Sequence, residues 1–157
     1  MKQITIDSAS AMQQLGEQIG HNLRPHDLLL LEGDLGAGKT TLTKGIARAL
    51  GIRRPVKSPT FTIVREYREG KLPLFHMDMY RLEDGDTASL DLEAYLQEDG
   101  VVIMEWPNFV QTELPPEYLT IAIERDDADL DSTRRIVKVS ATGQRYEELL
   151  QQLRQKN

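Results

Sequence analysis

Apolar and polar positions change their period several times along the chain, and each change marks an element. Residues 2–6 (Lys-Gln-Ile-Thr-Ile) alternate weakly and predict a strand at a sheet edge. Met12, Leu15, Ile19 and Leu23 then recur at helical spacing; Ser8 or Ser10 can cap that helix, and Pro25-His26 ends it. The unbroken run Leu28 to Leu31 has neither period, which predicts a strand over 27–32 buried on both faces. A helix over 39–50 follows, stopped by Gly51. Phe61 to Glu69 and Lys71 to Tyr80 are β-prone and meet at Glu69-Gly70, so they predict an antiparallel hairpin. Asp91 to Leu96 predicts a short helix or turn, and Val101 to Met104 a second strand without a polar face. Pro107 suits the first turn of a short helix. Tyr118 to Arg125 and Arg134 to Val139 predict a last hairpin, with the polar run Arg125 to Asp131 as its turn. Residues 143–154 predict an amphipathic helix with Tyr146, Leu149, Leu150 and Leu153 on one side. Strands that alternate with helices early and pair as hairpins late predict an α/β fold with a mixed parallel/antiparallel sheet.

Composition narrows this picture. The 157 residues fit a single domain spanning 1–157, and 39% hydrophobic content supplies one core. No segment is long and apolar enough to span a bilayer, and the first residues carry no signal-peptide core, so a soluble cytoplasmic protein is expected. The absence of cysteine removes disulfides and thiolate metal sites. A formal net charge of −6 disfavours direct binding of nucleic acid, which needs clustered cations. Arg53-Arg54-Pro55-Val56-Lys57 is the one basic run, and a solvated loop accounts for it as composition stands.

The chemistry concentrates between the first buried strand and the helix after it. Gly33 to Thr40 reads Gly-Asp-Leu-Gly-Ala-Gly-Lys-Thr, a complete G-x-x-x-x-G-K-[ST] P-loop in the strand–loop–helix context the motif requires. Backbone amides from Gly33 through Leu35, Gly36, Ala37 and Gly38 to Thr41 would form an anion nest, reinforced by the positive end of the helix. Lys39 would reach the outer phosphates and the Thr40 hydroxyl a Mg2+ ion. Glu105 ends the second buried strand as a Walker B acid would, on the side of the sheet where ligands bind in α/β folds. It could hold Mg2+ opposite Thr40.

Other candidates stay open between two readings. Trp106 either stacks on a base or fills a core or lid position. In His76-Met77-Asp78-Met79-Tyr80, strand period puts His76, Asp78 and Tyr80 on one face and the methionines on the other. The polar face looks either into a nucleotide cleft or into solvent from an edge strand. In the first case Asp78 would orient water or join the metal shell, with His76 holding Asp78 or Tyr80. Ser58-Pro59-Thr60-Phe61 is either a plain loop or a switch segment, with Ser58 and Thr60 offering hydroxyls to phosphate or metal. There is no Asn-Lys-x-Asp guanine reader and no Arg-rich monophosphate lid, which favours an ATPase over a GTPase or a small kinase.

Four motifs therefore stand in order: Gly33 to Thr41, Ser58 to Phe61, His76 to Arg81, and Val102 to Pro107. Over roughly residues 8–140 the chain resembles the TsaE family, small bacterial P-loop ATPases of tRNA threonylcarbamoyladenosine (t6A) synthesis. The resemblance implies a P-loop, NTPase-like three-layer core with a mixed sheet, ATP/ADP and Mg2+ as ligands, and weak hydrolysis by the isolated chain. It implies TsaB and TsaD as partners, with tRNA reached indirectly. Lys39 and Thr40 match the family's phosphate and Mg2+ positions, Glu105 its second Mg2+ position, Trp106 its adenine-stacking position, and Asp78 a carboxylate needed for hydrolysis. Ser8 or Ser10 would touch the base, and Arg134 is carried as a further nucleotide contact. No motif contains an evident arginine finger; Arg81 and Arg134 are candidates, and a partner could supply the charge. The chain departs from the family at Asp91, where glycine is common, and at Met12, where threonine is frequent. A nucleotide-gated adaptor and a small metabolite kinase are the rival readings.

Overall fold

Leu28, Leu29, Leu30 and Leu31 are all buried, yet they belong to two different cores. Leu29 and Leu31 meet Ile19, Leu42 and Ile46 on one face of a sheet; Leu28 and Leu30 meet Phe75, Met77 and Leu92 on the other. A strand with helices on both faces needs no polar side, which is why this run shows no alternation. The computed structural model describes residues 1–33, 38–57, 64–79, 92–105, 114–125 and 133–154.

The elements in chain order are β1 (Lys2–Ile6), α1 (Ala9–His21), β2 (Leu28–Gly33), α2 (Lys39–Ala49), β3 (Val64–Tyr67), β4 (Leu74–Asp78), α3 (Leu92–Gln97), β5 (Val101–Glu105), β6 (Tyr118–Arg125), β7 (Arg135–Thr142) and α4 (Gln144–Arg154). They build one seven-stranded sheet in the order β1-β7-β6-β2-β5-β4-β3. β6, β2, β5 and β4 run parallel, while β3, β7 and β1 pair antiparallel at the flanks. α1, α2 and α4 cover one face and α3 the other, giving the expected α/β three-layer core with a mixed sheet. No described helix is long and apolar enough to cross a membrane.

The expected hairpins exist as β3–β4 and β6–β7, and β1 is an edge strand. β6 and β7 alternate buried with half-buried positions because only one of their faces meets helices. α1 ends earlier than Pro25 suggests. The Asn22 backbone N–H bonds back to Ile19 and Gly20 carbonyls, and its side chain donates to Gln18 O at 2.8 Å. That local capping closes the helix before proline becomes relevant. Of the two serines offered as its N-cap, Ser8 takes the role, its Oγ accepting the Ala11 N–H at 3.1 Å.

α1 and α2 pack with backbone close to backbone. A Cβ on Gly16 would fall on Leu42 O, and one on Gly45 would fall on Gln13 O. This contact carries the N-terminal end of α1 to the N-terminal end of α2, where the site lies.

Candidate functional site

The C-terminal ends of the parallel strands define one edge of the sheet. Register places Leu31 of β2 beside Glu105 of β5, and Glu105 beside Asp78 of β4. Neighbours in register point to the same face, so both carboxylates look toward α2. Asp78 is 3% exposed and Glu105 5%. β4 has partners on both sides and every one of its residues is buried, so its polar face is not solvated. Its other face packs Phe75, Met77 and neighbouring Met79 into the α3-side core, as strand period implied.

The start of α2 suits an anion. Gly38 occupies the N-cap of α2 at φ +118°, a left-handed conformation that disfavours any side chain. No side chain caps this helix, and no acidic residue stands in its first turn. Its leading amides and its positive end are therefore directed at whatever enters the loop. Lys39 is 7% exposed, and its Nζ lies 3.5 Å from Glu105 Oε1. Thr40 and Thr41 are half-buried on the same turn.

Glu105 has a second partner. His76 Nε2 lies 2.5 Å from Glu105 Oε2, with the imidazole fully buried. Glu105 Oε2 accepts, so the His76 ring donates to it from Nε2. Burial pushes the Glu105 carboxyl up, but the hydrogen bond from His76 and the Lys39 ammonium outweigh it and hold it below its ordinary value. His76 was expected to steady Asp78 or Tyr80; its ring instead holds Glu105, two residues further along the adjacent strand than its register partner Ile103.

Asp78 and Glu105 are buried acids side by side in register, a placement that suits a divalent cation. Among the described residues no group of three His, Asp or Glu could chelate a metal alone. Mg2+ does not require such a cage, since it keeps waters and takes phosphate oxygens beside one or two carboxylates. Asp78, Glu105 and the Thr40 hydroxyl fit that mode of binding.

A cleft of about 170 Å³ opens beside the loop, lined by Ser8, Ala9, Met12, Gly38, Thr41, Thr133 and Arg135. Ser8 thus reaches the cleft, whereas Ser10 is not among its lining residues. Arg134 lies beside the cleft: its Nε is 3.4 Å from Asp7 Oδ1, and it is Arg135 that lines the wall. Strand period could have separated the two arginines, because Arg135 shares parity with the buried Val137 and Val139. Met12 and Thr133 had no such signal. Met12 is buried, and its Cε would lie 3.2 Å from a Cβ on Gly38. Leu35, Gly36, Ala37, Ser58, Thr60, Tyr80, Arg81, Asp91, Trp106 and Pro107 lie outside the described residues.

A parallel core with an uncapped glycine turn entering a helix, and an acid ending the adjacent strand, defines the P-loop class of α/β folds. The model of the family described as "Threonylcarbamoyl adenosine biosynthesis protein TsaE" matches residues 6–136. A Bacillus subtilis (strain 168) relative named tRNA threonylcarbamoyladenosine biosynthesis protein TsaE is 50% identical over 130 residues, covering 83% of this chain and 79% of its own. A relative of the same name from Nostoc sp. is 40% identical over 131 residues, covering 81% and 80%. The crystal structure of YdiB from Bacillus subtilis superposes with a TM-score of 0.84 at 40% identity, over 99% of this chain and 97% of that one. The chain belongs to the TsaE family.

Proposed function

We propose that this protein binds ATP with Mg2+ and hydrolyses it to ADP, as its contribution to threonylcarbamoyladenosine biosynthesis in tRNA. Its relatives are named for that process. The observation that carries the activity is the meeting of Lys39, Asp78 and Glu105, all buried, at the end of an uncapped helix.

Phosphoryl transfer asks the protein for positioning and charge stabilisation rather than covalent chemistry. The α2 amides and Lys39 bind the phosphates. To do so Lys39 exchanges Glu105 Oε1 for phosphate oxygen. The Thr40 hydroxyl and Glu105 would hold Mg2+, which neutralises phosphate charge when bound. Asp78 is placed to orient the attacking water. Ser8, Met12, Thr133 and Arg135 offer a wall for the nucleoside. Trp106 follows Glu105 directly in sequence and is carried as the base-stacking residue. The Ser58 and Thr60 segment is carried as the switch.

TsaB and TsaD are the partners the family resemblance supplies, in the cytoplasm. The net charge of −6 favours an indirect relation to tRNA. One observation supports a second reading, the nucleotide-gated adaptor: Lys39 is paired with Glu105, and if it turned to phosphate the pair would open on binding, a signal that needs no hydrolysis.

Hydrolysis measured with and without TsaB–TsaD tests both. We expect slow turnover alone, stimulation by the pair, and a loss of about 10²-fold or more in Lys39→Ala. Asp78→Asn should bind nucleotide yet fail to hydrolyse it. If Asp78→Asn still supports modification of tRNA with the pair, the adaptor reading replaces the ATPase one.

A further inference from the structure

Glu105 is held at both oxygens, by unequal partners. Lys39 stands 3.5 Å from Oε1, longer than a good charged hydrogen bond, while His76 stands 2.5 Å from Oε2. Lys39 must leave when phosphate arrives; nothing requires His76 to move. His76 is also anchored more firmly. It is 0% exposed, on a strand paired with β5 on one side and β3 on the other. A glutamate has three side-chain torsions, and a single fixed hydrogen bond at one oxygen removes most of its freedom. A donor at Nε2 does so from one side only and leaves Oε1 clear of that contact.

We infer that His76 is the positioning residue of the cation site, holding Glu105 through Oε2 so that Oε1 is presented to the metal once Lys39 has moved to the nucleotide. This rests on the ATP–Mg2+ reading above and adds a residue that would touch neither ligand. A donor acting through a metal ligand in this way typically contributes 10- to 100-fold to metal affinity.

The test is calorimetric titration of ADP, with and without Mg2+, into the native protein and into H76L, H76N and H76Q. The glutamine amide reaches where Nε2 lies, whereas the asparagine amide reaches only the Nδ1 position. The expected result is that Mg2+ enhancement of ADP affinity falls about ten-fold or more in H76L and H76N but stays within about three-fold in H76Q. Metal-free affinity should be unchanged in all three, which shows that each is folded. Should the leucine variant not fold, the asparagine and glutamine pair carries the comparison. Full Mg2+ enhancement in H76N overturns the inference, and so does a parallel loss of metal-free binding, which would make His76 merely structural. A native protein indifferent to Mg2+ overturns the reading of the site itself, a different outcome from either.

Discussion

Tyr146 accepts the first amide of β2: Leu28 N–H donates to its hydroxyl at 2.8 Å, across 118 residues of chain. Burial pushes its phenol up to about 12. An unfolded tyrosine titrates near 10, so as pH rises the unfolded chain loses this proton first. The stability contributed is fully present below about pH 10 and is lost as pH approaches 12. Unfolding free energies from urea titration should be about 1–3 kcal/mol lower for Tyr146→Phe than for native near neutral pH, because Leu28 N–H loses its partner. The gap should narrow above about pH 10; a gap independent of pH would refute the assignment. At this same scale, Glu105 and Lys39 were legible from sequence because each is fixed by its place at a strand end or helix start. The partner of His76 was not. It depends on which strand lies beside β4 and in what register, and spacing along one strand carries no such information.

Among elements, the α1–α2 contact decides the shape of the cleft. Gly16, Gly20 and Gly45 let the two backbones approach until a single methyl would collide; at Gly20 it would lie 2.6 Å from Ala49 Cβ. Gly16→Ala should lower stability by about 1–3 kcal/mol through overpacking, read as a shifted urea midpoint with unchanged slope. Pushing α1 outward should also weaken nucleotide binding, since Ser8 and Met12 ride on it. A substitution that costs neither would show that the helices can separate freely. The apolar stripe of α1 was evident in sequence, but its glycines were not readable as a contact. A helical glycine signals a close approach only when the facing helix is known. The arginines follow the same rule: Arg135 opens β7 and lines the cleft, whereas Arg134 just before the strand pairs with Asp7.

For the whole molecule, α4 closes the fold although it lies beyond the residues the family model matches. Its Tyr146, Leu149, Leu150 and Leu153 are all buried in the α1–α2 core. Arg145 Nη2 reaches Asp27 Oδ2 at 2.7 Å, tying the helix to the start of β2. Burying four such side chains contributes about 6–12 kcal/mol, comparable with the roughly 5–15 kcal/mol of a whole domain. A chain ending at Thr142 should therefore lose cooperative unfolding in a thermal or urea scan. Retention of a sharp transition near the native midpoint would show that α4 is dispensable.

By itself the sequence determined the order and type of the elements, the P-loop motif between β2 and α2, and the acids at the two strand ends. Those follow from hydrophobic period and local turn chemistry, which act between near neighbours. Only the tertiary structure decided the strand order β1-β7-β6-β2-β5-β4-β3, the pairing of His76 with Glu105, and the choice of Arg135 over Arg134 at the cleft. Each is a contact between residues distant in the chain, set by register and packing, and a one-residue shift would have exchanged the faces.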